Sequence, residues 1–274
     1  MKVIDYDTIE EWEHWIDEVM FKVIPSDFAT HNGCPEYIED AVELLYQHSD
    51  RHQLEGHLLE GLDGYLIRLY HGTRLTPSEL EAIRNNGLRP LNLSQRKDAL
   101  SRVFKNHPEW DSVKTNLDQV LRDLGPGEQA GKREDGKIHC CFSRMGLLEG
   151  CSHYLSHGAE VDGHVAHLLF KDAATALELI RSSRTPYLIS LLVSFDSALE
   201  AANPFGHSSE SMPPPLSLLV HAWAYRKFKT DFSPRVLRDC TAAMFAGSKP
   251  AHELENFELV PEDAIKNVRT KDDT

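Results

Sequence analysis

The sequence lacks any uninterrupted apolar run approaching the ~20 residues that span a bilayer, and its opening stretch, MKVIDYDTIEEWEHWIDEVM, holds too many acids for a secretory leader. Cytosolic synthesis without membrane insertion is the expectation. Cysteine is scarce: Cys34, Cys140, Cys141, Cys151 and Cys240 are odd in number and irregularly spaced. That pattern predicts reduced thiols and no disulfide framework. Basic residues are in deficit, 29 Lys and Arg against 43 Asp and Glu for a formal charge of −14. This excludes a broad phosphate-binding surface but leaves room for a local basic groove. The 274 residues are enough for one large domain or two small ones.

The most informative stretch runs from Leu66 to Leu91, LIRLYHGTRLTPSELEAIRNNGLRPL. Tyr65 to Tyr70 reads as a short buried strand that stops at a polar loop, His71-Gly72-Thr73. Thr76 can then cap a helix, Pro77 suits its first position, Glu79 supplies the acidic half of a capping box, and Gly87 suits its end. A His followed by Gly at a strand end offers a ligand an imidazole and an unobstructed backbone.

Around this stretch, residues 7 to about 60 read as helices, with Asp7 or Thr8 as a cap and Trp12, Trp15 and Val19 on one face, followed by a second stripe of Tyr37, Val42, Leu45 and Tyr46. Those aromatics read as packing residues, because a platform for nucleic-acid bases comes with cationic neighbours and this segment is acidic. A further helix is expected from Asp111, and then an exposed loop, GPGEQAGKREDGK. Lys137–Met145 is strand-like, His164 to Ser182 helical with Asp172 as a cap, and Tyr187–Phe195 a fully buried strand. NPFGHSSESMPPPL is a loop. Leu216–Phe228 suits helix or strand, with its aromatic alternation favouring a strand at the end. Ser233-Pro234 predicts a helix through about Phe245. A last strand leads into Glu258-Leu259-Val260-Pro261.

His139, Cys140, Cys141, Cys151, His153 and His157 supply sulfur and imidazole in one neighbourhood, but not at structural-zinc spacing, and adjacent Cys140 and Cys141 would face opposite sides of a strand. No metal site is expected. Nor does a local signature support a cysteine nucleophile with His153 as base, so buried thiols are the expectation there.

Tyr70-His71-Gly72-Thr73 followed by a helix and Gly-Leu resembles the first NAD-binding motif of ADP-ribosyltransferases of the diphtheria toxin and poly(ADP-ribose) polymerase type. Ser143 and Tyr154 stand where that family has a strand-ending Ser or Thr and the tyrosine that stacks on nicotinamide, with His153 and Tyr187 as substitutes for the latter. Glu258 stands where several bacterial toxins of the family carry the catalytic Glu before two aliphatics and Pro. The resemblance implies an α+β fold, a split β-sandwich of two small, mostly antiparallel sheets with surrounding helices, over residues 65–274, and an N-terminal helical extension over 1–64. It implies an NAD-dependent mono-ADP-ribosyltransferase, a toxin, effector or antiphage enzyme, with NAD as substrate. By its logic His71, Gly72, Thr73, Ser143 and Tyr154 bind NAD and Glu258 is catalytic. The implied partners are a protein or nucleic-acid acceptor and, in a toxin setting, an antitoxin or inhibitor; the place of action is the cytoplasm, reached by delivery where the target is another cell. Asn256 stands where arginine-specific members carry a second Glu, which argues against arginine as acceptor. The alternatives are an NAD glycohydrolase, an RNA 2′-phosphotransferase of the same fold, and an inactive binding module.

Overall fold

The computed structural model describes residues 2–30, 33–90, 92–124, 137–202 and 212–265. In chain order its elements are β1 (Val3–Ile4), α1 (Ile9–Met20), α2 (Ile38–Tyr46), α3 (Arg51–Gly61), β2 (Leu66–Leu75), α4 (Pro77–Asn86), α5 (Leu93–Phe104), α6 (Trp110–Val113), α7 (Leu117–Leu124), β3 (Ile138–Cys141), α8 (Arg144–Glu149), α9 (His153–His157), α10 (Glu160–Leu169), α11 (Ala173–Ser182), β4 (Thr185–Ser194), α12 (Phe195–Ala202), α13 (Pro214–Phe228), β5 (Ala242–Phe245) and β6 (Leu254–Leu259). The result is a mixed α+β structure.

Among the described residues the strands join one sheet, ordered β5-β3-β2-β4-β6, with β1 beside β2. Where the resemblance implies two small sheets, the described strands share one, with the ten-residue strands β2 and β4 side by side within it. β1 pairs parallel to β2, Val3 opposite Leu66, and β6 pairs antiparallel to β4, with a register shift between Ser190 and Leu191.

Two compact units divide the chain. The first comprises residues 1–69, 141–146 and 192–243. Its helices α1, α2 and α13 bury one apolar core in which Trp12, Ile16, Leu45 and Trp223 are fully enclosed. Phe28 stacks on Trp223 with ring centres 5.6 Å apart, and the indole of Trp223 donates to Asp17 at 2.8 Å. Burying such rings is the largest hydrophobic contribution available to a helical layer, about 2–3 kcal/mol each.

The second unit comprises residues 70–140, 147–191 and 244–274. Its helical core joins Leu100 and Phe104 of α5, Leu117 and Leu121 of α7, Val165 and Leu169 of α10, and Ile180 of α11.

Local signals account for several boundaries. α4 has the full capping box between Thr76 and Glu79, with Pro77 at its start. Gly87 ends it at φ 80°, where a Cβ would fall 2.0 Å from the Lys249 carbonyl oxygen. Only glycine fits both the conformation and the space. The Asp172 carboxylate accepts from the Thr175 amide and hydroxyl to cap α11.

Other boundaries correct the sequence reading. β2 does not stop at Tyr70 but runs on through His71-Gly72-Thr73 to Leu75, since an inner strand has ladder partners on both sides. Leu216–Phe228 is helical throughout; burial of Trp223 and Ala224 against α1 and α2 overrides the aromatic alternation. The helix expected from Ser233 is a 3-10 turn, Pro234–Leu237, halted by Arg238 in the left-handed region, and Ala242–Phe245 is a strand. The loop 125–136, and residues 203–211 of the proline-rich one, lie outside the described residues.

Candidate functional site

A cavity of about 1000 Å³ lies within the second unit, at the upper end of the range for small-molecule sites. Its lining includes His71, Gly72 and Thr73 of β2, His139 of β3, Tyr154 of α9, and residues of α4, α5 and α10.

The Nδ1 of His71 lies 2.7 Å from the His139 carbonyl oxygen. A carbonyl only accepts, so Nδ1 carries the proton and Nε2 is a bare acceptor in the neutral ring. Burial pushes the His71 pKa below the usual histidine value, which the bond to His139 partly opposes. At neutral pH the ring is therefore an acceptor held in one orientation by β3.

Gly72 is buried. A Cβ there would stand 3.2 Å from Leu147 and 3.3 Å from the Tyr154 Cβ, so the missing side chain is what lets the tyrosine approach the strand. The Tyr154 ring lies against His153, with centroids 4.1 Å apart, and near His139 at 6.2 Å. Tyr154 thus sits at the start of a short helix beside the strand, as a cavity-lining residue.

Of the other residues that the resemblance assigns, Ser143 belongs to the first unit and is fully buried. Its hydroxyl donates to Asp7 at 2.7 Å and accepts from the Gly146 amide at 2.9 Å. This is the geometry of a residue fixing the turn into α8, and Ser143 does not line the cavity. Glu258 lies one residue from the end of edge strand β6, opposite Leu188, half-buried and also outside the cavity lining. The carboxylates that do line it are Glu79 and Glu160.

Four basic residues line the cavity as well: Arg74, Arg89, Arg96 and Lys137. The Arg74 side chain is buried, and its Nη1 and Nη2 are committed to the carbonyls of Leu155, Arg181 and Arg184 and to Glu262 at 2.6 Å, while its buried Nε has no partner among the described residues. It ties β2 to the ends of α9 and α11. Arg96 forms a bidentate pair with the fully buried Asp162 through Nε and Nη2. Arg184 reaches the same carboxylate at 3.2 Å and Glu79 at 3.4 Å. Burial, with Arg184 alongside, draws the Arg96 pKa down to about 9, which leaves it cationic at neutral pH.

This ion cluster escaped the sequence reading, although one signal was present. Asp162 shares a helix face with Val165, Ala166 and Leu169, all buried, and an acid on an apolar stripe demands a cationic partner. Cys140 and Cys141 are buried, and burial pushes the Cys140 thiol up to about 12. It is unionised at neutral pH. Among the described residues, no group of three or more His, Cys, Asp or Glu is placed to hold a metal ion, and no helix is long and apolar enough to cross a membrane.

Protonation of this region has a stability consequence. Burial lowers the pKa of His71, His153 and His157 below 6.5, so as pH falls below that value the unfolded chain takes up protons that the folded chain does not. Stability is expected to be full above about pH 6.5 and to decline toward the lower folded values. A denaturant midpoint that does not fall between pH 7.5 and 5.5, and so shows no net proton uptake on unfolding, would contradict the burial of these rings.

Comparison of the chain with protein-family models, with curated proteins and with solved structures returns no match.

Proposed function

We propose that the cavity binds NAD and that the protein is an NAD-dependent mono-ADP-ribosyltransferase. The observation that carries this reading is that His71, Gly72, Thr73 and Tyr154, four of the five NAD-contacting residues expected from motif order, line one cavity although Tyr154 lies far along the chain from the others; Ser143, the fifth, does not line it. In this reading the bare Nε2 of His71 accepts from a hydroxyl of the adenosine ribose. The Gly72 backbone meets the nicotinamide amide, and the Tyr154 ring stacks on nicotinamide. The bond between nicotinamide nitrogen and ribose C1′ breaks with its electron pair leaving on nicotinamide, and an acceptor nucleophile bonds to C1′ and releases its proton. Glu258 hydrogen-bonds the ribose 2′-hydroxyl and stabilises the positive charge that develops on the ribose. The acceptor is a macromolecule, protein or nucleic acid, and the setting is that of a toxin, effector or antiphage enzyme acting in cytoplasm.

A second reading, an inactive NAD-binding module, is favoured by one observation: Glu258 is not among the residues lining the cavity. Incubation with labelled NAD and cell lysate separates the readings. Label on a macromolecule selects the transferase, nicotinamide release alone selects a glycohydrolase, and NAD binding with neither selects the module.

His71→Ala is expected to stay folded, because the ring is half-buried at a cavity wall, and to lose NAD affinity by about 10-fold or more, the worth of one hydrogen bond and its ring contacts. Calorimetry showing unchanged NAD binding would remove His71 from the site. Wild-type affinity should likewise weaken on acidification, as Nε2 changes from acceptor to donor.

A further inference from the structure

We propose that the cavity contains a diphosphate subsite, with Arg96 as its principal cation and Arg89 as a second. The proposal rests on the nucleotide reading above for the rest of the ligand, and it names the part of that ligand from which affinity comes. The chain as a whole is acidic, 43 against 29, yet the cavity lining inverts this balance: four basic residues, Arg74, Arg89, Arg96 and Lys137, against two acidic ones, Glu79 and Glu160.

The individual commitments sharpen the argument. Glu79 is taken up by the amide of Thr76 at 2.8 Å and by Arg184. Nη1 and Nη2 of Arg74 are spent on three carbonyls and Glu262, and its Nε, though without a partner among the described residues, is buried out of reach. Arg96 is different. Asp162 holds it through Nε and Nη2, and Nη1 has no partner among the described residues while the side chain lines the cavity at 14% exposure. Arg89 is exposed at the same cavity and forms no ion pair with a described residue.

A guanidinium clamped along one edge, with Nη1 uncommitted at the cavity lining, is pre-organised for a phosphate oxygen. Its charge acts there through a lower effective dielectric than at an open surface. The charged group of a dinucleotide that fits these donors is its diphosphate. The nicotinamide and the adenosine ribose fall to Tyr154, Gly72 and His71.

The test is calorimetry on the full chain with adenosine, AMP, ADP, ADP-ribose, inorganic pyrophosphate and NAD, for wild type, Arg96→Gln, Arg96→Lys and Arg89→Ala. Wild-type affinity is expected to climb from adenosine through AMP to ADP. Arg96→Gln should lower ADP and ADP-ribose affinity by about 10- to 100-fold and leave adenosine unchanged. Arg96→Lys should recover only part of the loss, because an ammonium cannot hold Asp162 and a phosphate in the same fork. Arg89→Ala, at an exposed position where folding is not at stake, should cost a few-fold for ADP and nothing for adenosine.

Equal losses for adenosine and ADP, or no loss in either Arg96→Gln or Arg89→Ala, would overturn the subsite. If those variants are silent while wild type binds NAD, the subsite falls and the NAD reading stands. If wild type binds ADP and pyrophosphate through Arg96 but not NAD, the reverse holds.

Discussion

Glu258→Gln is expected to bind NAD within a few-fold of wild type and to transfer ADP-ribose about 10²- to 10³-fold more slowly. The substitution keeps size and shape and removes only the negative charge. Ground-state binding is assigned to His71, Gly72 and Tyr154, none of which touches that carboxylate in the reading above. The charge matters when the ribose becomes cationic, so its loss falls on kcat and spares KM. The neighbouring acids calibrate the result. Glu253 pairs with Lys249 at 3.3 Å and Glu255 accepts from Ser190 at 3.4 Å, so Glu253→Gln should leave nicotinamide release nearly intact. Full activity in Glu258→Gln with loss in Glu255→Gln or Glu253→Gln would mean that the motif is shifted by a few residues. Loss in Glu160→Gln alone would move the catalytic carboxylate to α10, inside the cavity lining. Activity in all four would end the proposed mechanism.

The largest effect on stability is expected at Asp162. Its carboxylate is fully buried and serves both Arg96 and Arg184. Asp162→Ala leaves two buried guanidinium groups with Glu79 as their remaining carboxylate, paired to Arg184 alone. Breaking a buried ion cluster in this way costs about 3–5 kcal/mol, which corresponds to a drop of roughly 10 °C in Tm for a chain of this size. Replacing the carboxylate and both arginines together by apolar residues of similar volume should recover much of that loss, since no buried charge is left uncompensated. If Asp162→Ala melts with the wild type, the cluster does not hold α5 to α10.

The parts of the fold that were legible in the sequence are those encoded within a few residues. The Thr76 to Gly87 helix is written in its own capping box, proline and terminal glycine, and each feature has its expected geometry. The same holds for Asp172 and α11. β5 was not legible, because Ser233-Pro234 does start a helical turn, and what ends it is Arg238 in the left-handed region and pairing of Ala242–Phe245 with β3, far away in sequence. α13 was misread at its end for a related reason, since its aromatics follow the core they enter and not a local period. At the candidate site, His71 and Gly72 were visible as a local motif. Arg96 drew no notice, because its partner Asp162 lies 66 residues further on. The apolar stripe around Asp162 signals that a cation is needed but not which residue supplies it.

The tie between Arg74 and Glu262 bears on how the protein is made. Arg74 sits in the strand that carries His71, its side chain is buried, and Glu262, which follows it by 188 residues, is the carboxylate that neutralises it. During synthesis the strand, the cavity helices and the three carbonyls that Arg74 grips all leave the ribosome before that carboxylate does. Until residue 262 emerges, docking the strand would bury a cation without its counter-charge, at a cost of several kcal/mol, and β4 would still lack its partner β6. Docking of β2 is therefore expected to wait for the segment that carries Glu262.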